Sequence, residues 1–410
     1  MQFWSNLIEE EIMSKVLAVN AGSSSLKFQV FEMPEALDVA SGVIERIGLN
    51  DGIFTIKSNG QKDKQILDIK DHNVAAQLVL EALVEKNIVK DLNEVVAVGH
   101  RMVHGGEYFS ETVLATEENI AKVDELKELA PLHNPANLIG YYSFKKALPD
   151  ATHSFSFDTA FHQTMKPEVF IYPLPYEYYT DLKVRRYGMH GTSHQYVSER
   201  TAELMGKRKE DVNIITLHLG NGASISAIEG GICVNTSMGF TPLSGIMMGT
   251  RTGDVDPAVV TYLMKQLDKT AEEVLEIFNK KSGMLGISGI SSDARDVEAA
   301  IADGNERAIL TRKMYAQRVL QVVGGYALQL GKVDAIVFTA GLGENDTEIR
   351  ASILDLLKVG LNLDYDAELN SKTRGKEVKI STEDSSVEVW VVPTDEELVL
   401  ARDAFALHNE

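Results

Sequence analysis

The stretch Val16–Phe31, VLAVNAGSSSLKFQVF, is where the fold is decided. Val16 to Val19 are an apolar run, Asn20 to Ser25 a polar turn, and Leu26, Phe28 and Val30 then alternate with Lys27 and Gln29. Alternation with a period of two marks a strand with one buried face, so the stretch is predicted to be strand, tight turn, strand. The turn offers backbone N–H groups, three serine hydroxyls, the Asn20 carboxamide and the Lys27 ammonium. Such donors suit a phosphate or another oxyanion. Taken alone, they suit a serine-rich hairpin turn as well.

The device is repeated at Ile214–Ile228, IITLHLGNGASISAI. With Gly22 aligned on Gly220, the apolar residues Val16, Leu17 and Val19 fall on Ile214, Ile215 and Leu217. Internal similarity of this kind points to one fold unit used twice. Two α/β domains, each with a phosphate-gripping hairpin and both facing one cleft, would hold a nucleotide and a second substrate between them.

The 410-residue length suits two domains, and an apolar fraction of 44% lets both bury cores. The formal net charge of −20 argues against nucleic acid as a partner. It leaves anionic small substrates open, because local Arg and Lys clusters override the global sign. The one cysteine, Cys233, lies in a strand-like run and is expected to be a small buried hydrophobe. No stretch approaches the roughly 20 apolar residues of a membrane span. The start, MQFWSNLIEEEIMSK, has no basic region followed by a long apolar one, so it does not read as a secretory signal. A soluble cytoplasmic protein is expected. Residues 1–12 are acidic and differ in composition from the chain beyond Met13: either they are a short helical extension or translation begins at Met13.

Other candidate elements lie along the chain. Residues 32–72 read as β-rich and polar, and His72–Asn87 as a helix. Val95–Gly106, VVAVGHRMVHGG, delivers His100, Arg101 and His104 from a buried strand to a glycine turn, the usual anatomy of an α/β site. Arg101 is either a site residue or a salt-bridge partner. Glu117–Ala130 is predicted to be a charged helix; Asn134 is predicted to cap the next, with Pro135 in its first turn. HSFSFDTAFH (153–162) is a strand ending in Asp158, a helix cap or a magnesium carboxylate. KVRRYGMHGTSH (183–194) packs two arginines and two histidines between glycines ahead of a helix over 193–205. TSMGFTPLSGIMMGTRTGDVD (236–256) is a long loop carrying Arg251, and long structured loops are usually functional. Thr270 and Glu273 form a capping box, and a long helix over 305–330 is weakened at Gly324-Gly325. DAIVFTAGLGEN (334–345) is a buried strand running into a glycine turn.

Other nucleotide motifs fail. GGYALQLGK has the wrong glycine spacing for a P-loop, and Val333 stands where a hydroxyl residue belongs. Gly220 and Gly222 lack the third glycine of a dinucleotide fingerprint. No protein-kinase set occurs. His190 and His194 lack the HExxH pattern of a zinc site.

VNAGSSSLKF, GHRMVHGG, PLHNPAN, SFDTAFH, RYGMHGTSH, HLGNGAS, MGTRTGDVDP, SSDARD, FTAGLGEN and PTDEE resemble, in order, the motifs of the acetokinase family. The resemblance runs from about Met13 to near the C-terminus. It implies two similar α/β domains of the sugar kinase, Hsp70 and actin (ribonuclease H-like) superfamily: residues 13–160 plus a returning helix over 395–410, and a nucleotide-binding domain over 161–394. It implies a homodimer that uses ATP and Mg²⁺ to convert acetate to acetyl phosphate and ADP, and the reverse. Asn20, Arg101, His190 and Arg251 match the groups around the transferred phosphoryl. Ser23, Ser25 and Lys27 match the first phosphate loop, and His218, Gly220, Asn221 and Gly222 the second. Asp158 and Glu396, with Asn20, match the magnesium-associated groups. Asp293, Ala294, Arg295, Gly341, Leu342, Gly343 and Asn345 match the adenosine pocket. Arg101, Val103, Leu132, Met189 and Pro242 match the acetate pocket. Met189 stands where many members have Phe, which leaves propionate as an alternative acid.

The chemistry agrees with that assignment. A carboxylic acid is ionised at pH 7 and needs no general base, so Asp158 is better suited to holding Mg²⁺ or its water. What the transfer needs is relief of repulsion between a carboxylate and a triphosphate, which arginines, a histidine and a metal ion supply. An ATPase switch of the same superfamily would lack that cationic cluster, and a silent ATP-binding scaffold would be expected to lose Asn20, Asp158 or Arg251; none is lost.

Overall fold

The computed structural model describes residues 14–131 and 133–410. The readings of residues 1–12 and of Leu132 lie outside the described residues. The chain forms two compact units: one ends at Phe157 and takes back Glu396–Glu410, the other is Asp158–Asp395.

The first unit holds β1 (Ser14–Ala21), β2 (Ser25–Met33), β3 (Leu37–Glu45), β4 (Gly52–Ser58), β5 (Gln61–Leu67), β6 (Val95–Met102), β7 (Val113–Leu114) and β8 (Thr152–Phe157). They form one sheet in the order β5-β4-β3-β2-β1-β6-β8-β7. The second unit holds β9 (Asn213–Leu219), β10 (Ala223–Glu229), β11 (Ile232–Thr236), β12 (Ala335–Thr339), β13 (Val378–Lys379) and β14 (Glu388–Val391), in the order β11-β10-β9-β12-β14-β13. The order β3-β2-β1-β6-β8-β7 therefore recurs as β11-β10-β9-β12-β14-β13. The directions recur too. β1 and β9 each form an antiparallel hairpin with the next strand and, on the other side, a parallel pair with β6 and β12 respectively. β8 and β14 extend the parallel run, and a short antiparallel strand ends it. β4 and β5 are the first unit's addition. The repeat legible at Gly22 and Gly220 is thus a repeat of whole sheets.

Apolar runs explain which strands are central. Val16–Val19, Ala97–Val98 and Ala335–Phe338 are at most 1% exposed, as parallel strands covered on both faces must be. The helix His72–Glu85 buries Ala75, Val79 and Leu83 in the core of the first unit. The last helix, Glu396–His408, packs on β6 so closely that a Cβ on Gly99 would lie 2.4 Å from the Leu400 carbonyl oxygen. Glycine at position 99 is what lets that helix approach.

Several local expectations shift. Glu117–Ala130 resolves into a helix Glu117–Glu125 and a single 3₁₀ turn, Leu126–Glu128. The helix after KVRRYGMHGTSH starts at Gly191. Asn134 is the first residue of its helix, with His133 in the capping position. Gly324 and Gly325 do not interrupt the helix Glu306–Leu330. Each glycine costs about 1 kcal/mol in a helix, but Tyr315, Val319, Val323 and Leu330 bury one face and outweigh it. The Thr270–Glu273 capping box has both halves in place. No helix of the described residues is long and apolar enough to cross a membrane.

Candidate active-site residues in the two units

In the first unit the hairpin turn ends β1, where Asn20 faces Lys27 across the ladder. Ser23 and Ser25 are exposed. β6 lies beside β1, and Arg101 Nη1 donates to Asn20 Oδ1 at 3.2 Å. Two buried asparagines of the helix Asn134–Ala147 hold what surrounds them. Asn137 Oδ1 accepts from the Val103 backbone at 3.1 Å, and its Nδ2 donates to the Ala21 carbonyl at 2.6 Å. Asn134 exchanges both bonds with the His104 backbone, at 3.1 and 3.0 Å. The cap expected of Asn134 is thus replaced by a clamp, because its side chain turns inward to satisfy a buried peptide. Asn137 escaped the sequence reading. Its signal was the i, i+3 spacing with Asn134, which puts two carboxamides on one helix face. His72 Nε2 bonds the Gly22 carbonyl at 2.7 Å, so a second helix N-terminus also braces the turn.

Lys27 forms an ion pair with Glu397 at 2.7 Å. Glu397 is 7% exposed, and a buried carboxylate demands such a partner. The first turn of the last helix is thereby tied to the serine hairpin.

In the second unit Asp158 is buried directly after β8, and its carbonyl accepts from the Gly191 backbone at 2.8 Å. His190, at the N-terminus of the helix Gly191–Leu204, has a left-handed φ of 60°. Its Nδ1 lies 2.9 Å from Ser224 Oγ, and its ring stacks on His218 with centroids 4.1 Å apart. Ser224 Oγ also meets His194 Nε2 at 2.7 Å, while His194 Nδ1 meets Thr216 Oγ1 at 2.6 Å. Burial holds His194 well below the usual histidine pKa, hence neutral. With both ring nitrogens on hydroxyls, it orients Ser224.

Arg251 Nη1 donates to the Pro242 carbonyl at 3.0 Å. Burial alone pulls its pKa down, yet a guanidinium stays charged. A Cβ on Gly222 would lie 3.3 Å from Arg251 Nη1 and 3.7 Å from His190 Nε2. The second glycine turn, Arg251 and His190 therefore converge. The buried Met189 offers its carbonyl to His162 Nε2 at 2.9 Å, and His162, pushed to about 4 by burial, is neutral. Cys233 is buried as expected; its thiol, raised to about 12 by burial, lies 3.1 Å from His162 Nδ1.

A cavity of about 810 Å³ opens in the second unit. Gly220 and Asn221 border one part; Asp293, Ala294, Arg295, Gly341, Leu342 and Asn345 border the rest. His218, Gly222 and Gly343 are not on its lining. The Gly343 carbonyl instead accepts from Arg350 Nη1 at 2.9 Å, and Arg350 also bonds Asn370 and the Thr373 carbonyl. That buried guanidinium, lowered to about 10 by burial, ties the glycine turn to the segment before Arg374, a lining residue absent from the sequence reading. Asp293 caps the helix Ala294–Ala302 and pairs with Arg295, whose guanidinium holds it at about 2. Among the described residues no group of three or more His, Cys, Asp and Glu is placed to hold a metal. Asp158 and Glu396 are each the first residue after the chain passes from one unit to the other.

The duplicated sheet, with a glycine turn ending the first hairpin strand of each half, is an α/β fold built twice from one unit. The acetokinase family profile matches residues 15–402. The chain is 54% identical over 397 residues to the acetate kinase of Geobacillus kaustophilus (strain HTA426), covering 97% of this chain and 100% of that protein. It is 52% identical over 395 residues to that of Bacillus subtilis (strain 168), covering 96% and 100%. Among solved structures it matches the Porphyromonas gingivalis acetate kinase with a TM-score of 0.92 at 46% identity, covering 96% and 99%. It matches a propionate kinase from Francisella tularensis with a TM-score of 0.90 at 38% identity, covering 96% and 100%. The chain belongs to the acetokinase family.

Proposed function

We propose that the protein is a cytoplasmic acetate kinase that moves the γ-phosphoryl of ATP directly to acetate, giving acetyl phosphate and ADP, and runs in reverse. The observation that carries this is in the second unit: the cavity reaches Gly220 and Asn221, while Arg251 and His190 flank the adjoining Gly222. A nucleotide seated in that cavity has its phosphates at the turn and a cationic group beside them. Arg251, His190, Arg101 and Asn20 stabilise charge on the equatorial oxygens of a metaphosphate-like transition state. Asp158, Glu396 and Asn20 offer only oxygen donors, which fits Mg²⁺, a hard cation shared with nucleotide phosphates and not caged by protein. When bound, the ion neutralises phosphate charge.

Acetate is the first acid and propionate the second, as the resemblance of Val103, Leu132, Met189 and Pro242 to the family's acetate pocket implies. One methylene is worth only about 1–3 kcal/mol of discrimination. A coupled assay of kcat/KM over acetate, propionate and butyrate tests the reading. Propionate ahead of acetate would make the enzyme a propionate kinase; no turnover of any of the three would remove the acid-kinase assignment.

A homodimer is part of the same reading. The helix Ala258–Leu267, AVVTYLMKQL, has no buried residue, and Tyr262 is 62% exposed. Such an apolar helix calls for a covering surface, and a second copy supplies one. Light scattering of wild type and Tyr262→Glu is expected to give dimer and monomer; a monomeric wild type would overturn it.

A further inference from the structure

We propose that Arg186 is a positioning residue that fixes the wall of the acid pocket, acting through the loop that carries Pro242 and Arg251. The proposal rests on the acid-kinase reading only in taking Met189 and Pro242 as pocket walls.

Residues 237–257 contain no helix or strand. A segment that long inside a compact unit needs its backbone groups satisfied from elsewhere. At its entry, Arg186 Nη1 donates to three successive carbonyls, those of Thr236, Ser237 and Met238. The Tyr187 and Gly188 amides both donate to the Gly239 carbonyl, at 3.0 and 3.2 Å. The Phe240 amide donates to the Tyr172 hydroxyl at 2.9 Å. Farther on, the Gly245 amide donates to Asp254 Oδ1 and the Asp254 amide to the Gly245 carbonyl, each at 2.8 Å. Pro242 lies between the pinned entry and that clasp, and its carbonyl takes the bond from Arg251.

Met189 and Pro242 thus belong to two segments, 185–190 and 236–242, cross-linked side by side. Two of the links are backbone bonds that a substitution at Arg186 leaves in place. The side-chain link is Arg186, and it gathers three carbonyl oxygens of like partial charge. Those dipoles repel one another unless a cation stands among them, so without Arg186 the entry peptides rotate toward water and carry Pro242 with them. Lysine supplies the charge on a shorter, differently shaped head that cannot occupy the place of Nη1 among all three carbonyls, and methionine supplies neither charge nor donor.

Arg186→Met and Arg186→Lys are to be compared with wild type in kcat and KM for acetate, propionate and butyrate, and in KM for ATP. Amide hydrogen exchange across residues 236–242 is measured alongside. In Arg186→Met we expect acetate KM to rise about tenfold or more with ATP KM within about twofold. The acetate-to-propionate ratio of kcat/KM falls at least about threefold, within the range that a pocket methylene controls. Arg186→Lys lies between, and exchange over 236–242 rises in the same order. If Arg186→Met fails to fold, the lysine variant decides on the same ratio. Unchanged selectivity with unchanged exchange would overturn the proposal, as would ATP KM rising in parallel with acetate KM. A wild type that phosphorylates none of the acids would count against the acid-kinase reading alone; exchange over 236–242 would still decide whether Arg186 holds the loop.

Discussion

Arg251 is a half-buried cation that bonds a carbonyl and a thioether, those of Pro242 and Met248. A desolvated charge held by neutral groups is costly, and an anion arriving beside Gly222 relieves that cost. Arg251→Ala is therefore expected to lower kcat by about 10³ or more, with a smaller effect on ATP KM, since an arginine on the transferred phosphoryl is worth about 10³–10⁵. Arg251→Lys recovers only part, because the second donor of the fork is lost. A kcat loss of tenfold or less in Arg251→Ala would remove the assignment. His190 offers a complementary measurement. Its Nδ1 meets Ser224, and its Nε2 lies on the side of Gly222 and Arg251. His190→Asn, with one amide in place of the ring, should lower kcat by about 10²-fold or more, as loss of a preorganised transition-state donor does. Wild-type kcat in that variant would show the ring to be a structural group only.

At the scale of elements, the hairpins were legible because period-two alternation and a glycine turn are local properties. The braces behind them were not, because the side-chain bonds of Asn134, Asn137, His72 and Arg350, that of Arg350 to Gly343 excepted, join residues 20 to 116 positions apart. Asn134 shows the difference. A residue before Pro at a helix start reads locally as a cap, but the buried His104 peptide competes for the same carboxamide and wins. The two Gly residues at 324 and 325 show the same override, with packing prevailing over propensity. Asn137 gives a test. Its carboxamide satisfies one donor and one acceptor on two different site segments, so Asn137→Ala leaves both unpaired at about 1–3 kcal/mol each. It should lower stability by about 2 kcal/mol or more and lower kcat/KM for acetate. Asn137→Asp keeps the acceptor but sets a buried carboxylate against the Ala21 carbonyl, so at pH 8 it should lower stability at least as much as alanine does. A denaturation curve coincident with wild type for Asn137→Ala would refute the brace.

On the scale of the whole molecule, acid sensitivity follows from how the two units were built. Each carries a pair of buried histidines kept neutral by desolvation: His100 and His153 in the first, His162 and His194 in the second. His100 Nε2 meets His153 Nδ1 at 2.9 Å, and His153 Nε2 bonds the Leu148 carbonyl, so a second proton on His153 would break its bond to His100. Both His153 and His162 are lowered to about 4. The unfolded chain takes up protons at the ordinary histidine pKa of about 6.5, while the folded chain does so only near 4 or below. Below pH 6.5 the unfolded state therefore binds more protons, and stability falls as pH falls. Above pH 6.5 the contribution is fully present. His153 and His162, held near 4, each cost roughly 2 kcal/mol by pH 5, and His100 and His194, lowered in the same direction, add to the loss, against the roughly 5–15 kcal/mol that holds a typical domain together. Stability is thus expected to fall from about pH 6.5 toward pH 4, with unfolding by acid above pH 4. His153→Gln keeps a donor to the Leu148 carbonyl and cannot titrate, so it should shift the midpoint to lower pH while lowering stability at pH 8. Circular dichroism against pH on both proteins decides it: a wild type that stays folded at pH 4, or a variant whose midpoint does not move, would mean that the buried histidines do not govern acid stability.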